Sequence, residues 1–182
     1  MTLLKISNMG HPVLRRVADP VADPTDPEIA RLAEDMIETM RDAPGIGLAA
    51  PQVYRPLRLI VFAVPPGRQE EGEPPAPEGP TVLINPEIEA LEEERVLGLE
   101  GCLSIPGLRG LVPRWHRIRY RGFGLDGEKI EREAQGLHAR VVQHEVDHLD
   151  GVLYLDRLRD LSDLAMDAEA DYLADRLKDS SS

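Results

Sequence analysis

The sequence predicts one α+β domain, in which antiparallel strands surround a central helix and a further helix lies near each end of the chain. Three observations favour this fold. An amphipathic helix pattern covers residues 26–41, a second helical stripe covers residues 137–148, and short apolar runs separated by glycine and proline turns lie between them. A chain of 182 residues can build one sizeable core but not two, so we treat residues 1–182 as a single domain.

The N-terminal part of the chain predicts an extended segment followed by a helix. Residues 1–25 contain Pro12, Pro20 and Pro24, and we expect them to wrap around the core. A helix then begins at Asp26-Pro27, because Asp26 can cap it and proline is well tolerated at the first helical position. Its apolar residues keep to one face through residue 41, and Pro44-Gly45 ends it.

Several strands are expected between this helix and the second one. Residues 57–64 read as a buried strand, and residues 65–80 form a surface loop rich in proline and glutamate. A strand resumes at residue 81 and is expected to end at Pro86, followed by a glutamate-rich edge through Glu94. Further strands are expected at residues 114–120 and 129–134. The C-terminal region, residues 158–182, is expected to hold a helix at 161–178 and a tail.

Composition excludes several classes of function. Acidic residues outnumber lysine and arginine by 33 to 21, and the resulting net charge of −12 disfavours nucleic acid as a direct partner. No apolar run approaches the roughly 18 residues that a membrane span needs, and the N-terminus lacks a signal-peptide pattern. The single cysteine, Cys102, rules out an intrachain disulfide and fits a reducing compartment. We expect a cytoplasmic protein without a membrane partner.

The second helix contains the strongest chemical signal. His144 and His148 are four residues apart, so on a helix they project from one face and can bind a single metal ion. Glu145 lies beside them, in a position that suits proton transfer rather than metal binding. A solvated helix with two histidines is the alternative. Leu137 and Val141 continue the same stripe as the histidines, which points the pair inward and favours the metal site.

Two further stretches contain residues suited to such a site. In residues 45–52, Gly-Ile-Gly-Leu-Ala-Ala-Pro-Gln, the glycines allow a ligand to approach the backbone closely, and Gln52 can donate a hydrogen bond. This stretch lacks the third glycine and the Lys-Ser/Thr ending of a phosphate-binding loop, so we reject that interpretation. An ordinary tight turn remains an alternative. Cys102 could be a small buried apolar residue, or its thiolate could join the two imidazoles in a three-ligand set with a fourth position open for water.

Together these stretches resemble the peptide deformylase family. Its three signature segments are similar to GIGLAAPQ, EGCLS and QHEVDHLDG of this chain, and the resemblance extends in order to about residue 157. It implies a catalytic domain that hydrolyses the formyl group from the formyl-methionine of new polypeptides and releases formate. It also implies one divalent metal ion, Fe²⁺ in the cell, with Zn²⁺, Ni²⁺ or Co²⁺ possible in preparations. Nascent N-formyl-methionyl polypeptides would be the partners, with transient proximity to the ribosome.

The resemblance also implies roles for individual residues. The metal ligands would be Cys102, His144 and His148. The catalytic groups would be Glu145 as general base and acid, and Gln52 with the backbone N–H of Leu103 as donors to the oxyanion. The residues expected to contact substrate are Gly45, Ile46, Gly47, Glu100, Gly101 and Arg140. Arg114 would pair with Asp147 and brace the metal-binding helix.

One position departs from the family pattern, and two other functions stay open. Many bacterial members carry an aliphatic residue beside the methionine pocket where this chain has Arg140; we expect its methylenes to line the pocket and its guanidinium to turn away. A zinc endopeptidase would need a third ligand after the helix, for which Glu169 is the best candidate. A non-catalytic metal-binding module would need a closed four-ligand site. His11, His116 and His138 are instead expected to be surface or packing residues.

Overall fold

A computed structural model describes residues 2–65 and 75–179 of the chain. Its helices are α1 (Pro27–Asp42), α2 (Gly136–Leu149) and α3 (Ala170–Asp179). Its strands are β1 (Gly47–Ala49), β2 (Leu59–Phe62), β3 (Thr81–Ala90), β4 (Arg95–Cys102), β5 (Ile105–Trp115), β6 (Arg117–Phe123), β7 (Lys129–Gln135) and β8 (Leu164–Met166). The prediction of antiparallel strands combined with helices near both ends is therefore confirmed.

Helix α1 forms where the sequence predicts it and covers one face of the larger sheet. The Asp26 side chain accepts a hydrogen bond from the backbone N–H of Glu28 at 2.8 Å, and Pro27 occupies the first helical position. Met36 and Met40 are fully buried in an apolar cluster with residues of β1 and β2. Burial of this face supplies the main driving force for docking the helix.

The larger sheet has five strands in the order β1-β2-β3-β6-β7, and every neighbouring pair is antiparallel. Its second face packs against α2 through a separate apolar cluster that includes Phe62, Tyr120, Val142 and Leu149. The sheet thus lies between α1 and α2. Strand β1 is at one edge, so only one side of its backbone is paired within the sheet.

A smaller sheet of order β4-β5-β8 approaches α2 from another side. Strands β4 and β5 form a long hairpin that closes where Cys102 pairs with Ile105. Val112 of β5 packs with Leu153 and Tyr154 in a buried apolar cluster. The hairpin turn places Cys102 next to α2, although the two are distant in sequence.

Several predicted strand boundaries are wrong. Pro86 does not end its strand: β3 continues to Ala90, and its register against β6 shifts between Ile84 and Glu87. Such an irregularity relieves the missing N–H of a proline inside a sheet. The expected strand at 114–120 is instead the end of β5 and the start of β6. Strand β4 was not predicted, because its two glycines and its charged residues weaken the apolar pattern.

The C-terminal prediction is also only partly right. The helix begins at Ala170, whereas residues 161–169 form two short 3-10 turns around β8. Strand β8 pairs with β5 through Leu108 and Met166, so this segment completes the smaller sheet. At the other end, the N-terminal segment wraps the core as expected, with the Ser7 N–H donating to the Gln52 carbonyl at 2.7 Å.

Most of the predicted surface loop, residues 66–74, and the tail residues 180–182 lie outside the described residues. Among the described helices, none combines the length and the apolar character needed to cross a membrane.

Candidate metal centre

Helix α2 and the β4–β5 turn bring one thiol and two imidazoles together. The Cys102 Sγ lies 3.2 Å from the Nε2 of His148, and the ligand atoms of Cys102, His144 and His148 all lie within 4.8 Å of one another. His148 is 1% exposed. In a tetrahedral site with metal–sulfur and metal–nitrogen bonds of usual length, ligand atoms stand about 3.5 Å apart. The donor set and its spacing therefore fit a divalent ion.

Glu100 fixes the orientation of the His144 ring. The Nδ1 of His144 lies 2.9 Å from a Glu100 carboxylate oxygen, which leaves Nε2 as the nitrogen available to a metal. A carboxylate behind a histidine ligand sets its tautomer and strengthens it as a donor. Tyr154 stacks on the same ring, with centroids 6.1 Å apart. His144 is thus held on two sides.

Burial and charge move the pKa values of both imidazoles. Burial lowers the pKa of each. At His144, hydrogen bonding and charge from Cys102 and Glu100 outweigh burial and raise the pKa well above the usual range. At His148, burial together with the charge on His144 lowers the pKa well below that range. A divalent ion competes with protons for these nitrogens, so metal binding at this site would release protons.

Glu145 is a buried carboxylate beside the ligand cluster. It is 4% exposed, and its Oε2 has no hydrogen-bond partner among the described residues. Burial raises the pKa of this carboxyl to about 7. The other oxygen lies so close to Gly47 that a Cβ there would overlap it. A carboxylate with this pKa and a free oxygen can exchange a proton near neutral pH.

Gln52 presents an amide to the same space. Its Oε1 accepts a hydrogen bond from the Ala49 N–H at 2.8 Å, which fixes the direction of the side chain. Its Nε2 donates to Ser104 at 3.1 Å and lies 3.5 Å from the Cys102 sulfur. Gln52 therefore directs an N–H donor at the ligand cluster.

Arg114 connects β5 to both Glu100 and α2. It forms a double hydrogen bond with Glu100, at 2.9 and 3.0 Å, and reaches Asp147 at 2.5 Å. Burial alone would raise the pKa of Glu100, but the His144 hydrogen bond and the Arg114 charge outweigh it and hold that pKa well below its usual range. The buried carboxylate is thereby kept ionised.

Glu100 and Arg140 were both expected to contact substrate, and both line the cavity beside the ligand cluster. The Arg140 guanidinium was expected to turn away from that cavity, whereas no bonding partner was expected for the Glu100 carboxylate. The Glu100 carboxylate lies next to His144, with both oxygens hydrogen-bonded. The Arg140 guanidinium turns onto β4 and β5, where it bonds Glu100 and the Val112 carbonyl at 2.8 Å each. The sequence thus predicted the direction of the Arg140 side chain but not the strands and carboxylate that it bonds.

Most of the expected site residues line one cavity of about 550 Å³. Edge strand β1 forms part of its rim through Gly47, and Gly45 and Ile46 precede this strand. The predicted site residues that line the cavity are Gly45, Ile46, Gly47, Gln52, Glu100, Gly101, Cys102, Leu103, Arg140, His144 and Glu145. Arg114 and Asp147 line a second cavity instead, and His148 is not among the residues that line either one.

Four residues with contacts at the site were missed by the sequence analysis. They are Ser104, Gln143, Tyr154 and Arg157. Gln143 pairs with the backbone N–H and carbonyl of Trp115, and Arg157 bonds Asp147 at 2.8 Å. Ser104 and Gln143 lie within the signature segments, so their position next to predicted site residues could have identified them. No feature of the sequence pointed to Tyr154 or Arg157.

The structure also places His138 and Glu169, two residues that the alternatives to this site concern. His138 is buried against Phe62 and Tyr120, as expected of a packing residue. Glu169 is exposed and does not belong to the ligand cluster. The third candidate ligand is therefore Cys102 rather than a glutamate beyond the helix, which removes the support for the endopeptidase reading.

Comparison with known proteins gives consistent matches. The polypeptide deformylase family model matches residues 3–163. Peptide deformylase 1 of Bordetella pertussis is 54% identical over 158 residues, covering 86% of this chain and 88% of the relative. Peptide deformylase 2 of Ralstonia nicotianae is 49% identical over 157 residues, with the same coverage of 86% and 88%.

Solved structures agree with these sequence matches. The crystal structure of peptide deformylase from Thermotoga maritima superposes with a TM-score of 0.77 at 39% identity, covering 88% of this chain and 100% of that one. A ligand-bound class I type b peptide deformylase from Acinetobacter baumannii superposes with a TM-score of 0.78 at 38% identity, covering 87% and 100%.

Proposed function

The chain belongs to the polypeptide deformylase family, and we propose that Cys102, His144 and His148 hold its divalent metal ion while Glu145 transfers protons. The activity is removal of the N-terminal formyl group from nascent polypeptides. One observation carries the residue assignment: a thiol and two imidazoles converge within 4.8 Å beside a buried carboxylate that has a free oxygen.

A formamide is a stable amide, so its hydrolysis needs an activated water and stabilisation of the developing oxyanion. A divalent ion at this site, when bound, acts as a Lewis acid and brings the pKa of water from about 16 toward 7. Glu145 accepts the proton of the attacking water and returns it to the amine that leaves, so that the products are formate and a free amino terminus. Proton transfer of this kind typically contributes about 10² to 10⁴ in rate.

Gln52 and the backbone N–H of Leu103 donate hydrogen bonds to the oxygen on which negative charge develops. Gln52 suits this role because Ala49 holds its amide in a fixed direction, and the removal of one such donor typically costs about 10² to 10³ in rate. The cavity-facing side of β1 offers backbone groups with which an extended peptide can pair. Gly45, Ile46 and Gly47 would bind the substrate backbone in this way, with Gly101 close by.

The activity assay that tests this assignment measures formate released from a formyl-methionyl peptide, with the acetyl-methionyl peptide as the control. The metal-loaded chain should release formate from the first and leave the second intact, because the acetyl group adds a methyl at the reacting carbon. Cleavage inside either peptide, without formate, would favour an endopeptidase instead. Cys102→Ser and His148→Ala should both lose metal and formate release, and retention of the ion by both would refute the ligand assignment.

We propose Fe²⁺ as the ion in the cell. A site of two imidazoles and one thiolate accepts Fe²⁺, Zn²⁺, Ni²⁺ or Co²⁺, so affinity order alone does not name the occupant. Protein prepared without oxygen and loaded with Fe²⁺ should lose activity in air, because the iron and the Cys102 sulfur are oxidised by oxygen. The Ni²⁺ form should stay active. Equal air stability of the two forms would show that the metal–thiolate pair is not the sensitive element.

The same proposal covers the domain organisation of the chain, its localisation and its proximity to the ribosome. The whole chain of 182 residues acts as one catalytic domain, because both sheets and α2 contribute to one cavity. The enzyme works in the cytoplasm, where nascent formylated chains emerge, and it meets the ribosome transiently. Its net charge of −12 argues that such proximity comes from the polypeptide substrate rather than from direct binding to nucleic acid.

A further inference from the structure

The Arg140 guanidinium is built into the protein rather than presented to the cavity. Arg140 lies on α2, one helical turn before His144, and its side chain is 14% exposed. Its Nη1 donates to Glu100 and to the Val112 carbonyl at 2.8 Å each, and its Nη2 donates to the Val96 carbonyl at 2.8 Å. One side chain of the helix thus bonds both strands of the β4–β5 hairpin.

Arg140 is one hydrogen bond away from a candidate metal ligand. It bonds Glu100 at Oε1, and the other oxygen of the same carboxylate lies 2.9 Å from the His144 Nδ1. Arg114 bonds both oxygens from the opposite side. Among the buried members, the charges of the two arginines are matched by the carboxylates of Glu100 and Asp147; Arg157, which also bonds Asp147, is 40% exposed.

The two arginines connect the same elements in opposite directions. Arg114 extends from β5 to α2, and Arg140 extends from α2 to β4 and β5. Strand β4 ends at Cys102, and α2 carries the two histidines. Two multiply bonded arginine side chains therefore connect the strand that carries the thiol to the helix that carries the imidazoles.

Gly98 provides independent support for this arrangement. A Cβ at Gly98 would lie 2.5 Å from the Arg140 Cζ, whereas the glycine has an ordinary backbone conformation that alanine could adopt. The bare backbone at this position on β4 allows the guanidinium to approach the strand closely. The absence of a side chain at Gly98 therefore matches the close approach of the Arg140 guanidinium.

We propose that Arg140 is a positioning residue for the metal centre. It holds Glu100, and through it the His144 ring, and it holds β4 with its terminal Cys102 in the geometry that retains a divalent ion. This inference rests on the proposed ligand set. It assigns Arg140 a role that is separate from contact with substrate.

The test uses Arg140→Leu and Gly98→Ala in the full chain loaded with Co²⁺. Two properties are measured: the rate at which a chromogenic chelator removes the ion, and the visible absorption of the cobalt, which reports its coordination geometry. Loss of a group that orients a metal ligand typically costs 10- to 100-fold in affinity, and Arg114 still bonds Glu100, so we expect release to be about tenfold faster in both variants. The absorption bands should shift in both.

Two controls separate positioning from general destabilisation. Arg121→Leu removes an exposed arginine of β6, and Met36→Ala opens a cavity beneath α1, on the other face of the larger sheet. Both should release cobalt at the wild-type rate. Wild-type release and spectrum in both Arg140→Leu and Gly98→Ala would overturn the inference, as would equally fast release from Met36→Ala. A wild-type chain that retains no cobalt would overturn the ligand set itself.

Discussion

Helix α2 contacts the two sheets through different chemistry. Against the five-stranded sheet it is apolar: Ala139, Val142 and Leu149 are completely buried in the cluster that contains Phe62 and Tyr120. Such contacts stabilise the fold in proportion to the apolar area they remove from water, and their strength depends little on the orientation of the side chains.

Against the three-stranded sheet the same helix is polar and charged. Asp147 bonds Arg114, Arg140 bonds Glu100, and Gln143 bonds the Trp115 backbone. Buried ion pairs add little net stability, because the cost of removing charges from water offsets their attraction. Their hydrogen bonds are directional, however. One side of α2 therefore mainly stabilises the fold, whereas the other side orients the side chains of the candidate metal site.

The largest expected effect lies at Glu145, next to the polar side. Glu145→Gln keeps the shape of the side chain but removes its ability to accept a proton, so kcat should fall by about 10² to 10⁴. Metal content should stay at the wild-type level, because Glu145 is beside the ligand cluster rather than part of it. Formate release and metal analysis on the same preparation check both statements. Loss of the ion would make Glu145 a ligand.

Gly47→Ala should act on the same carboxylate without changing it. The added Cβ overlaps the Glu145 carboxylate and displaces it, and a misplacement of about 1 Å can cost roughly 10²-fold in rate. The double variant Gly47→Ala/Glu145→Gln is the control. It should be no slower than Glu145→Gln alone, since both changes remove one function. Additive losses would place the effect of Gly47 elsewhere, for example in substrate binding.

His138 tests the apolar side, where stability rather than rate should respond. Burial lowers its pKa from 6.5 to about 4. The unfolded chain therefore binds a proton at higher pH than the folded one, so the free energy of unfolding falls as pH drops from 6.5 toward 4. The loss should reach about 3 kcal/mol near pH 4.

Urea unfolding of the wild type and His138→Gln between pH 7.5 and pH 5 measures this contribution, because the other titrating groups cancel in the difference. The wild type should lose about 2 kcal/mol more than the variant over that range. The kcat of His138→Gln at neutral pH should match the wild type. A parallel pH dependence in the two proteins would show that His138 is not held neutral by burial.

The smallest expected effect concerns substrate preference at Arg140. Its guanidinium bonds β4 and β5, so only its methylenes remain to line the cavity. With saturating metal, Arg140→Leu should change kcat/KM by less than about tenfold and should preserve the preference for methionine-like side chains. Peptides with methionine, norleucine and glutamate as first residue provide the comparison. A wild-type preference for glutamate that disappears in Arg140→Leu would place the charge in the pocket.

Local features of the chain were predictable because they depend on residues that are close in sequence. Asp26 caps α1 within two residues of its partner, and the four-residue spacing of His144 and His148 brings them to one face of any helix. The resemblance of three segments to a known family predicted the activity, and the family is confirmed.

The sequence could not determine the partners of most polar side chains; the Arg114–Asp147 pair, which the family resemblance implied, is an exception. Glu100 bonds residues 14, 40 and 44 positions away, and these contacts depend on strand register and side-chain direction rather than on any local pattern. Strand β3 continues through Pro86 because the irregular register beside it accommodates the ring. The sequence predicted that the Arg140 guanidinium turns away from the cavity, but only the tertiary structure decided where it binds. The bare backbone at Gly98 and the carbonyls of Val96 and Val112 provide that place, so Arg140 connects α2 to both strands of the β4–β5 hairpin.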